Sequence, residues 1–271
     1  MTGGDIFING VRRTYVARGR EVLALDGIDL HIAAGEFVAL VGPSGCGKST
    51  LMNMIAGILP TVEGEIRHDG RPVTGINRAV GYMTQQDAVL PWRTVAQNVA
   101  LPLRFHGVPA AERADRVAAM LDSVGLTGFG HAYPAELSGG MRKRVALAQT
   151  FINRPDILLL DEPFSALDVQ TRALMQDELL HLCSTTHASV VFVTHDLEEA
   201  VALADEVYVL TVGPATVKSV YPIDLPRPRD AAEIRYEQQF VEISRKIWQD
   251  LREEVKIGNA RSEIPRDRLR G

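Results

Sequence analysis

The sequence predicts an α/β fold built around a parallel sheet that is buried on both faces. Two continuous apolar runs, "DILLLDEP" and "SVVFVTHD", are typical of strands in such a sheet. A third run, "FVALV", ends directly before a glycine-rich stretch. Helical patterns separate these runs, and strands that alternate with helices indicate a parallel sheet.

The first third of the chain predicts antiparallel strands in addition. "IFINGVRRTYV" and "EVLALDGIDLHI" alternate apolar and polar residues, with a turn at "ARGR" between them. In "GEIRHDGRPV", Asp69 and Gly70 stand between two short strands, which is a strong hairpin signal. We therefore expect an antiparallel β unit beside the parallel sheet.

The middle of the chain predicts an inserted group of helices. Apolar residues recur near i, i+3 and i+4 in "TVAQNVALPLRFHG" and "PAAERADRVAAMLDSVG". "GGMRKRVALAQTFINR" is predicted as another helix that begins at a glycine pair. Further on, "TRALMQDELLHLCSTT" predicts a helix, and "DLEEAVALADEVYVLT" a helix followed by a strand.

The composition is that of a globular chain with an acidic balance. With 271 residues and 46% hydrophobic residues, the chain can bury a large core. A net charge of −5 argues against a large basic surface for nucleic acid. Two cysteines, Cys46 and Cys183, form no disulfide framework and fit a reducing compartment. Because the sequence shows no secretory signal and no apolar run of membrane-spanning length, we expect any membrane role to act through a partner.

The stretch "GPSGCGKST", from Gly42 to Thr50, predicts a site for a nucleoside triphosphate. Its spacing is GxxxxGK[ST], and it lies between the run "FVALV" and a predicted helix. Glycines let backbone N–H groups surround an anion, and the helix N-terminus adds partial positive charge there. Lys48 can reach the outer phosphates, and the Ser49 hydroxyl can bind Mg²⁺. A glycine-rich turn that matches by chance is the alternative, which the flanking strand and helix disfavour.

Two acidic residues, Asp161 and Glu162, end the apolar run "ILLLDEP". In open α/β sheets, ligands bind at the carboxyl ends of the strands. There Asp161 could hold Mg²⁺ and Glu162 could polarise an attacking water molecule. A solvated acidic turn is the alternative for an isolated "DE" pair, but the phosphate loop upstream favours the nucleotide interpretation.

A second anion site is predicted in "LSGGM", from Leu137 to Met141. Ser138, Gly139 and Gly140 place a hydroxyl and two glycines at the start of a predicted helix. On its own, this pattern is also an ordinary helix N-cap. The phosphate-loop motif occurs once in the sequence, so it is open which phosphate a second anion site would bind.

Taken together, the motifs resemble those of ATP-binding cassette (ABC) ATPases over about residues 5–220. Six motifs occur in the family's order: the phosphate loop, the glutamine of "GYMTQQD", "LSGGM", the segment Ile157–Glu162, "SALD" and the histidine of "VTHD". The resemblance implies a P-loop NTPase fold of ABC type, with a RecA-like core, an antiparallel β subdomain and an inserted α-helical subdomain at about residues 88–153.

The resemblance places the ATPase domain at residues 1–221. Residues 222–271 are then a C-terminal extension, which opens with the proline-rich "PIDLPRPRD". A helical stripe follows, made of Phe240, Ile243, Ile247, Leu251 and Val255. The charged end, "RSEIPRDRLRG", is predicted to be frayed.

The resemblance also implies roles for individual residues around ATP. Tyr15 matches the aromatic residue that stacks on adenine, with Val22 beside it. A surface tyrosine on a strand is the alternative for Tyr15. The residues matching the phosphate-binding loop are Gly42, Pro43, Ser44, Gly45, Cys46, Gly47, Lys48, Ser49 and Thr50.

For catalysis, the resemblance implies Glu162 as general base, His195 as a γ-phosphate contact and Lys48 as a phosphate-binding cation. It implies Ser49 and Gln85 as Mg²⁺ ligands, with Asp161 in support. Gln86 is the alternative to Gln85, because the two glutamines are adjacent.

In ABC ATPases the signature motif, which "LSGGM" matches in this chain, closes in one copy on ATP held by another copy. Ser138, Gly139 and Gly140 would therefore contact ATP of a second copy of the chain, in a head-to-tail dimer. Asp168 in "SALD" would bridge the two copies. This arrangement answers the question of the second anion site.

The expected function is that of an energy-coupling ATPase subunit at the cytoplasmic face of the inner membrane. Its expected partners are integral membrane permease subunits and, indirectly, an extracytoplasmic solute-binding protein, but no nucleic acid. Met141 departs from the usual glutamine of the signature. With "LPWRTVAQNVALPL" and "LPRPRD", it resembles the subgroup that imports nitrate, sulfonates and taurine. Two alternatives are an ATPase subunit of a lipid or drug exporter and, more remotely, a soluble ABC ATPase of DNA repair or translation.

Overall fold

The computed structural model describes residues 3–17, 19–86, 88–165, 167–231 and 233–262. The predicted frayed end covers residues 261–271; its first two residues belong to the last helix, and those from 263 onward lie outside the described residues. The strands are β1 Ile6–Ala17, β2 Arg20–Ile32, β3 Phe37–Val41, β4 Glu63–His68, β5 Arg71–Pro72, β6 Val80–Met83, β7 Ile157–Asp161, β8 Ser189–Val193, β9 Glu206–Leu210 and β10 Val217–Pro222. The α-helices are α1 Lys48–Ile55, α2 Val95–Val99, α3 Leu101–Phe105, α4 Ala110–Ser123, α5 Gly139–Phe151, α6 Val169–Thr186, α7 Leu197–Leu203 and α8 Gln238–Ser262.

A six-stranded sheet forms the centre of the fold, with strand order β10-β9-β3-β8-β7-β6. Strands β9, β3, β8, β7 and β6 run parallel, and β10 joins β9 antiparallel at one edge. Every residue of β3, β7 and β8 is buried, as the continuous apolar runs predict. The carboxyl ends of β3 and β7 therefore open at the same edge of the sheet, where ligands bind in such folds.

A four-stranded antiparallel sheet, ordered β2-β1-β4-β5, is the predicted β unit. The hairpin between β4 and β5 turns at Asp69 and Gly70, whose φ angles are 48° and 72°. Both angles are left-handed, as the hairpin turn favoured by Asp-Gly requires. Apolar residues of this sheet and of α1 share one hydrophobic cluster with β3, which fixes the β unit beside the start of α1.

The helical insertion comprises α2 to α5 and has a hydrophobic cluster of its own. The stretch that predicts one helix over residues 94–107 forms two short helices, α2 and α3, which meet at Ala100. Pro102 accounts for the break, because it has no N–H to donate to the carbonyl four residues before it and its ring crowds that carbonyl. Within the described ranges, no helix combines the length and the apolar character that crossing a bilayer requires.

The C-terminal segment packs on the parallel sheet. The predicted division at residue 221 falls within β10, an edge strand that the sequence pattern does not predict. Phe240 and Ile247 of α8 are buried in the same hydrophobic cluster as β7 and β8. Val255 departs from the predicted stripe and is 46% exposed, whereas Glu254 is buried beside it. Glu254 accepts a hydrogen bond from the Val212 N–H and lies 3.1 Å from the Lys218 ammonium, so these polar contacts turn that face inward.

The loop before α2 depends on one buried amide side chain. Asn98 is 0% exposed, and its Oδ1 accepts a hydrogen bond of 2.8 Å from the Leu90 N–H. Its Nδ2 donates to the carbonyls of Leu90, Arg93 and Thr94 at 3.0–3.1 Å. The Asn98 side chain thus adds four hydrogen bonds to the few that the loop backbone makes with itself.

We expect Asn98→Ala to destabilise the chain by about 2 to 4 kcal/mol, because it removes a fully buried side chain and the four hydrogen bonds that it makes to the loop. The Leu90 N–H and the Arg93 carbonyl lose their partner, whereas the Leu90 and Thr94 carbonyls each keep one backbone donor. Chemical denaturation at neutral pH measures the change. The control is Gln97→Ala, which only opens the capping box at Thr94 and should cost about 0.5 to 1 kcal/mol. Equal losses for the two variants would contradict the assigned role of Asn98.

Candidate functional site

The phosphate loop connects the buried end of β3 to the start of α1. Gly47, directly before α1, has a φ angle of 121°, a conformation that glycine adopts readily and L-residues rarely do. A Cβ at this position would also lie 2.7 Å from the Leu25 side chain. The loop therefore requires glycine here both for its conformation and for its close packing against β2.

Lys48 closes the loop from inside. Its Nζ donates hydrogen bonds of 2.8 Å to the Gly42 carbonyl and 3.0 Å to the Pro43 carbonyl, and lies 3.7 Å from the Cys46 sulfur. Lys48 is only 8% exposed, and a buried ammonium group needs such partners because losing water is costly. An anion bound in the loop would meet this cation directly.

Asp161 ends β7 opposite the first turn of α1. The Ser49 hydroxyl donates a hydrogen bond of 2.8 Å to its Oδ2. Burial raises the pKa of Asp161, and the adjacent Glu162 carboxylate raises it too, although the bond from Ser49 acts in the opposite direction. A carboxylate in this position favours a cation, since added positive charge would relieve the cost of its burial.

The backbone of Glu162 adopts a strained conformation just beyond β7. Its φ angle is 50°, and the left-handed region costs a residue with a Cβ about 1 to 2 kcal/mol. Its N–H donates to the Val193 carbonyl at 2.9 Å, which keeps the turn attached to β8. This turn brings the carboxylate to the edge of the cavity beside the phosphate loop.

Two further side chains meet at the Glu162 carboxylate. The Gln85 Nε2 donates a hydrogen bond of 3.0 Å to Glu162 Oε2. The His195 Nδ1 lies 3.6 Å from the same oxygen. Gln85 lines the cavity and its neighbour Gln86 does not, which distinguishes the two adjacent glutamines geometrically.

A cavity of about 300 Å³ lies where these elements meet. It is lined by the predicted residues Ser44, Gly45, Gly47, Lys48, Ser49, Thr50, Gln85, Asp161 and Glu162. Of the remaining loop residues, Gly42 and Pro43 bind Lys48 through their carbonyls, and Cys46 is buried in the hydrophobic cluster beneath. The fold thus brings together residues that are more than 100 positions apart in the chain.

The predicted adenine residues lie next to the phosphate loop. The Tyr15 hydroxyl is 3.2 Å from the Thr50 Oγ1, within hydrogen-bond distance. The Arg13 guanidinium lies 5.2 Å from the centre of the Tyr15 ring, in cation–π range. Val22 pairs with Tyr15 across the β1–β2 ladder and is 54% exposed. Tyr15 and Val22 therefore form one partly open surface near the start of α1.

The residues of the second anion site do not line this cavity. Ser138 caps α5, and its side chain accepts a hydrogen bond of 3.2 Å from the Met141 N–H. Gly139 and Gly140 form the first turn of that helix. Asp168 caps α6 in the same way through Thr171, and this hydrogen bond lowers the pKa of Asp168. In one copy of the chain, "LSGGM" and "SALD" therefore supply the capped N-termini of α5 and α6, and neither motif lines the cavity beside the phosphate loop.

Lys143, which is 4% exposed on α5, is a further residue beside the site that the sequence motifs do not indicate. Its Nζ donates a hydrogen bond of 3.1 Å to the Gln85 carbonyl and so connects α5 to the glutamine of the site. In the sequence, Lys143 is one of three consecutive basic residues, "RKR", and nothing in the pattern distinguishes it. Only the packing of α5 beside β6 selects it.

Comparison with known proteins agrees with this geometry. The ABC transporter family model matches residues 25–165. The chain is 42% identical over 250 residues to the nitrate import ATP-binding protein NrtD of Synechocystis sp., covering 90% of this chain and 94% of that protein. It is 45% identical over 233 residues to the taurine import ATP-binding protein TauB of Rhizobium johnstonii, covering 84% and 89%.

Among solved structures, the chain resembles the dimeric post-hydrolysis state of the ATP-binding cassette MJ0796 bound to ADP and Pi. The TM-score is 0.74 at 30% identity, and the match covers 82% of this chain and 100% of that one. The family match spans the phosphate loop, the glutamine, the signature motif and the acidic pair, all of which the fold places as described above. The chain therefore belongs to the ABC transporter family and is an ABC ATPase, with a P-loop NTPase core, an antiparallel β unit and an inserted helical unit.

Proposed function

We propose that the chain is the ATP-hydrolysing subunit of an importer for a small anionic solute of the nitrate, sulfonate or taurine type. One observation carries the ATPase part: Lys48, Ser49, Gln85, Asp161 and Glu162 line a single cavity. Such convergence of a cation, a hydroxyl, an amide and two carboxylates suits phosphoryl transfer, in which catalysis is largely positioning and charge stabilisation.

The phosphate loop would hold the triphosphate through its backbone N–H groups and through Lys48. Its nine residues, Gly42 to Thr50, would act together with the N-terminus of α1. When phosphate oxygens enter, the Lys48 ammonium can exchange the two loop carbonyls for stronger, charged acceptors. Tyr15 would stack on the adenine ring, with Val22 at its edge.

The residues near Asp161 fit a magnesium ion. Mg²⁺ prefers oxygen ligands and is usually bound by one or two carboxylates together with substrate phosphates. The described residues contain no group of three or more His, Cys, Asp or Glu side chains suited to a metal. Ser49 and Gln85 would hold it, with Asp161 in support, and Mg²⁺ would supply charge neutralisation for the phosphates.

For hydrolysis we propose Glu162 as the general base that orients and deprotonates water. In this structure its carboxylate accepts a hydrogen bond from Gln85 and lies near His195. His195 would contact the γ-phosphate, and Lys48 would stabilise charge on it. The strained backbone of Glu162 fits this role, since such strain occurs where a side chain must be aimed precisely.

The second anion site would act on ATP held by another copy of the chain. Ser138, Gly139 and Gly140 lie outside the cavity of their own copy, yet they start a helix with free N–H groups suited to phosphate. A head-to-tail pair would complete two sites at once, and Asp168 would bridge the two copies. The resemblance to a dimeric cassette supports this arrangement.

The transport assignment rests on the relatives, two of which are named as import ATP-binding proteins. We propose integral permease subunits as direct partners, an extracytoplasmic solute-binding protein as an indirect one, and a peripheral location at the cytoplasmic face of the inner membrane. The docking site would be a groove of about 420 Å³ between β6, α3 and α5. Phe105 in this groove is 81% exposed, and Thr84 at its end precedes Gln85.

We propose that residues 1–221 form the ATPase domain and that residues 222–271 cover its sheet as an extension. The burial of Phe240 and Ile247 against the sheet supports this role for α8. A lipid or drug exporter would use the same ATPase residues, so the permease itself distinguishes the two kinds of transport.

Glu162→Gln should lower kcat for ATP hydrolysis by about 10³-fold, because it removes the base while keeping a similar shape. ATP binding, measured with a labelled nucleotide, should stay within about threefold. The control is Glu198→Gln, an exposed carboxylate three residues after His195, which should retain most of the activity. Equal rates for parent and Glu162→Gln would exclude Glu162 as the base.

Asp161→Asn should stabilise the nucleotide-free chain while lowering kcat by about 10²- to 10³-fold. The raised pKa of Asp161 means that its charge opposes folding above that pKa, and the amide removes this cost. The gain should be full at neutral pH and fade as the pH falls toward about 4, the unfolded value, where both states bind the proton. Thermal unfolding at several pH values measures it.

The control for this stability measurement is Asp156→Asn, at the residue directly before the first residue of β7. It should not reproduce the increase in melting temperature. A lower melting temperature for Asp161→Asn at neutral pH would contradict the inferred electrostatic cost.

A tagged copy of the chain should capture an integral permease and its binding protein from detergent-solubilised native membranes. Mass spectrometry identifies the captured proteins. Phe105→Asp should lose the permease, since it puts a charge into the proposed groove, whereas Tyr236→Asp, 84% exposed on the extension, should keep it. Capture of an exporter-type membrane protein, or of a soluble nucleic-acid complex, would overturn the import proposal and leave the ATPase assignment standing.

A further inference from the structure

Arg172, in the first turn of α6, joins two segments that border the ATP site. Its Nη2 donates to the Leu167 carbonyl at 3.2 Å, in the loop that carries Asp168. Its Nη1 donates to Asp196 Oδ2 at 3.1 Å, directly after His195. One guanidinium group therefore bonds both to the loop proposed to meet the second copy and to the segment that presents His195.

The segment around His195 is held by an interlocked set of hydrogen bonds. Asp196 caps α7 by accepting from the Glu198 N–H at 2.9 Å. Its own N–H donates to the Thr194 hydroxyl oxygen at 3.0 Å, and that hydroxyl donates to Glu199 Oε2 at 2.7 Å. The residues on both sides of His195 are thus fixed, while His195 itself is 62% exposed and free of the core.

Arg172 also balances the charge of this segment. Its Nε lies 3.6 Å from Glu199 Oε1, and the Glu199 side chain is only 5% exposed. Asp196 and Glu199 are two carboxylates within one helical turn, and without a cation they would repel each other. A buried carboxylate that loses its partner moves or takes up a proton, because an unpaired charge is costly there.

We propose that Arg172 is a positioning residue for ATP hydrolysis, which holds His195 in place beside Glu162 and connects it to the loop of Asp168. The inference rests on the proposed function and assigns a residue beyond it. Arg172 does not line the ATP cavity. It acts through its contacts with Asp196, Glu199 and the Leu167 carbonyl. Docking of a second copy at Asp168 would thereby affect the position of His195. The residue before Asp168 and the residue after His195 both bond to the same rigid, planar guanidinium group.

The test compares Arg172→Ala with Arg116→Ala in the full chain. Arg116 is a matched control: it lies on α4, donates to the Ile152 carbonyl at 2.7 Å and pairs with Glu112 at 3.3 Å, away from the site. We expect Arg172→Ala to lower kcat by roughly 10- to 100-fold, since small misplacements of reacting groups have such effects. ATP affinity should change less than threefold, and Arg116→Ala should retain most of the parent kcat.

A double variant separates positioning from general damage. If Arg172 acts through His195, the variant with both Arg172→Ala and His195→Ala should have the same kcat as His195→Ala alone. Arg172→Lys should recover only a small part of the activity, because a single ammonium group cannot bond to two separate segments in the same fixed geometry. If Arg172→Ala is unfolded in a thermal melt, Arg172→Lys and its combination with His195→Ala supply the same comparison.

Three results would overturn the inference: a kcat for Arg172→Ala equal to that of Arg116→Ala, full additivity with His195→Ala, or complete rescue by lysine. These results are distinct from failure of the proposed function. A parent chain that neither binds nor hydrolyses ATP, alone or in the captured membrane complex, would refute the proposed function and the inference with it.

Discussion

The site depends on one constraint, a lysine ammonium group that is buried inside the phosphate loop and binds the carbonyls of that loop. Lys48 is 8% exposed and binds the Gly42 and Pro43 carbonyls. A buried cation without such partners would be too costly, so the loop must fold around it. The fold of the loop in turn requires glycine at position 47. There the φ angle is 121°, which L-residues rarely adopt, and the backbone packs closely against β2. The strand before the loop and the helix after it are held in place by burial, which fixes both ends of the loop.

Opposite this cation, the fold holds two carboxylates at the end of a fully buried strand. The raised pKa of Asp161 and the strained backbone of Glu162 both cost stability in the nucleotide-free chain. Costs of this kind collect at functional sites, where the surrounding structure maintains them. Here β7 lies between β6 and β8, and hydrogen bonds from Ser49 and Gln85 hold the two carboxylates. A bound cation and nucleotide would relieve the same charges.

The proposed ATP site is divided between surfaces that one copy of the chain does not bring together. The phosphate loop and acidic pair form one cavity, whereas the starts of α5 and α6 lie outside it. If a second copy supplies these helix starts, closure of the pair must be communicated to the catalytic groups. Arg172 offers a direct route, because it bonds to the loop before α6 and to the residue after His195. The hydrogen bond from Lys143 to the Gln85 carbonyl links the helix of the second anion site to the glutamine of the first.

The sequence alone determined those parts of the protein that follow from local pattern. Continuous apolar runs specified the buried strands β3, β7 and β8, and Asp69-Gly70 specified a hairpin. Motif spacing selected the phosphate loop, the strand end selected Asp161 and Glu162, and the resemblance to ABC ATPases added Gln85. These signals are local because burial on two faces, left-handed turns and phosphate loops each require particular residues within a few positions.

The tertiary structure alone decided which distant side chains meet. It selected Lys143 from three adjacent basic residues and paired Arg172 with Asp196. It also placed Gln85, which the family resemblance already favoured over Gln86, in the wall of the cavity. It also turned Glu254 inward and left Val255 exposed, against the helical stripe, because polar groups of neighbouring strands lie there. Such contacts depend on the distances between elements that are far apart in the chain, and periodicity along one element carries no information about them.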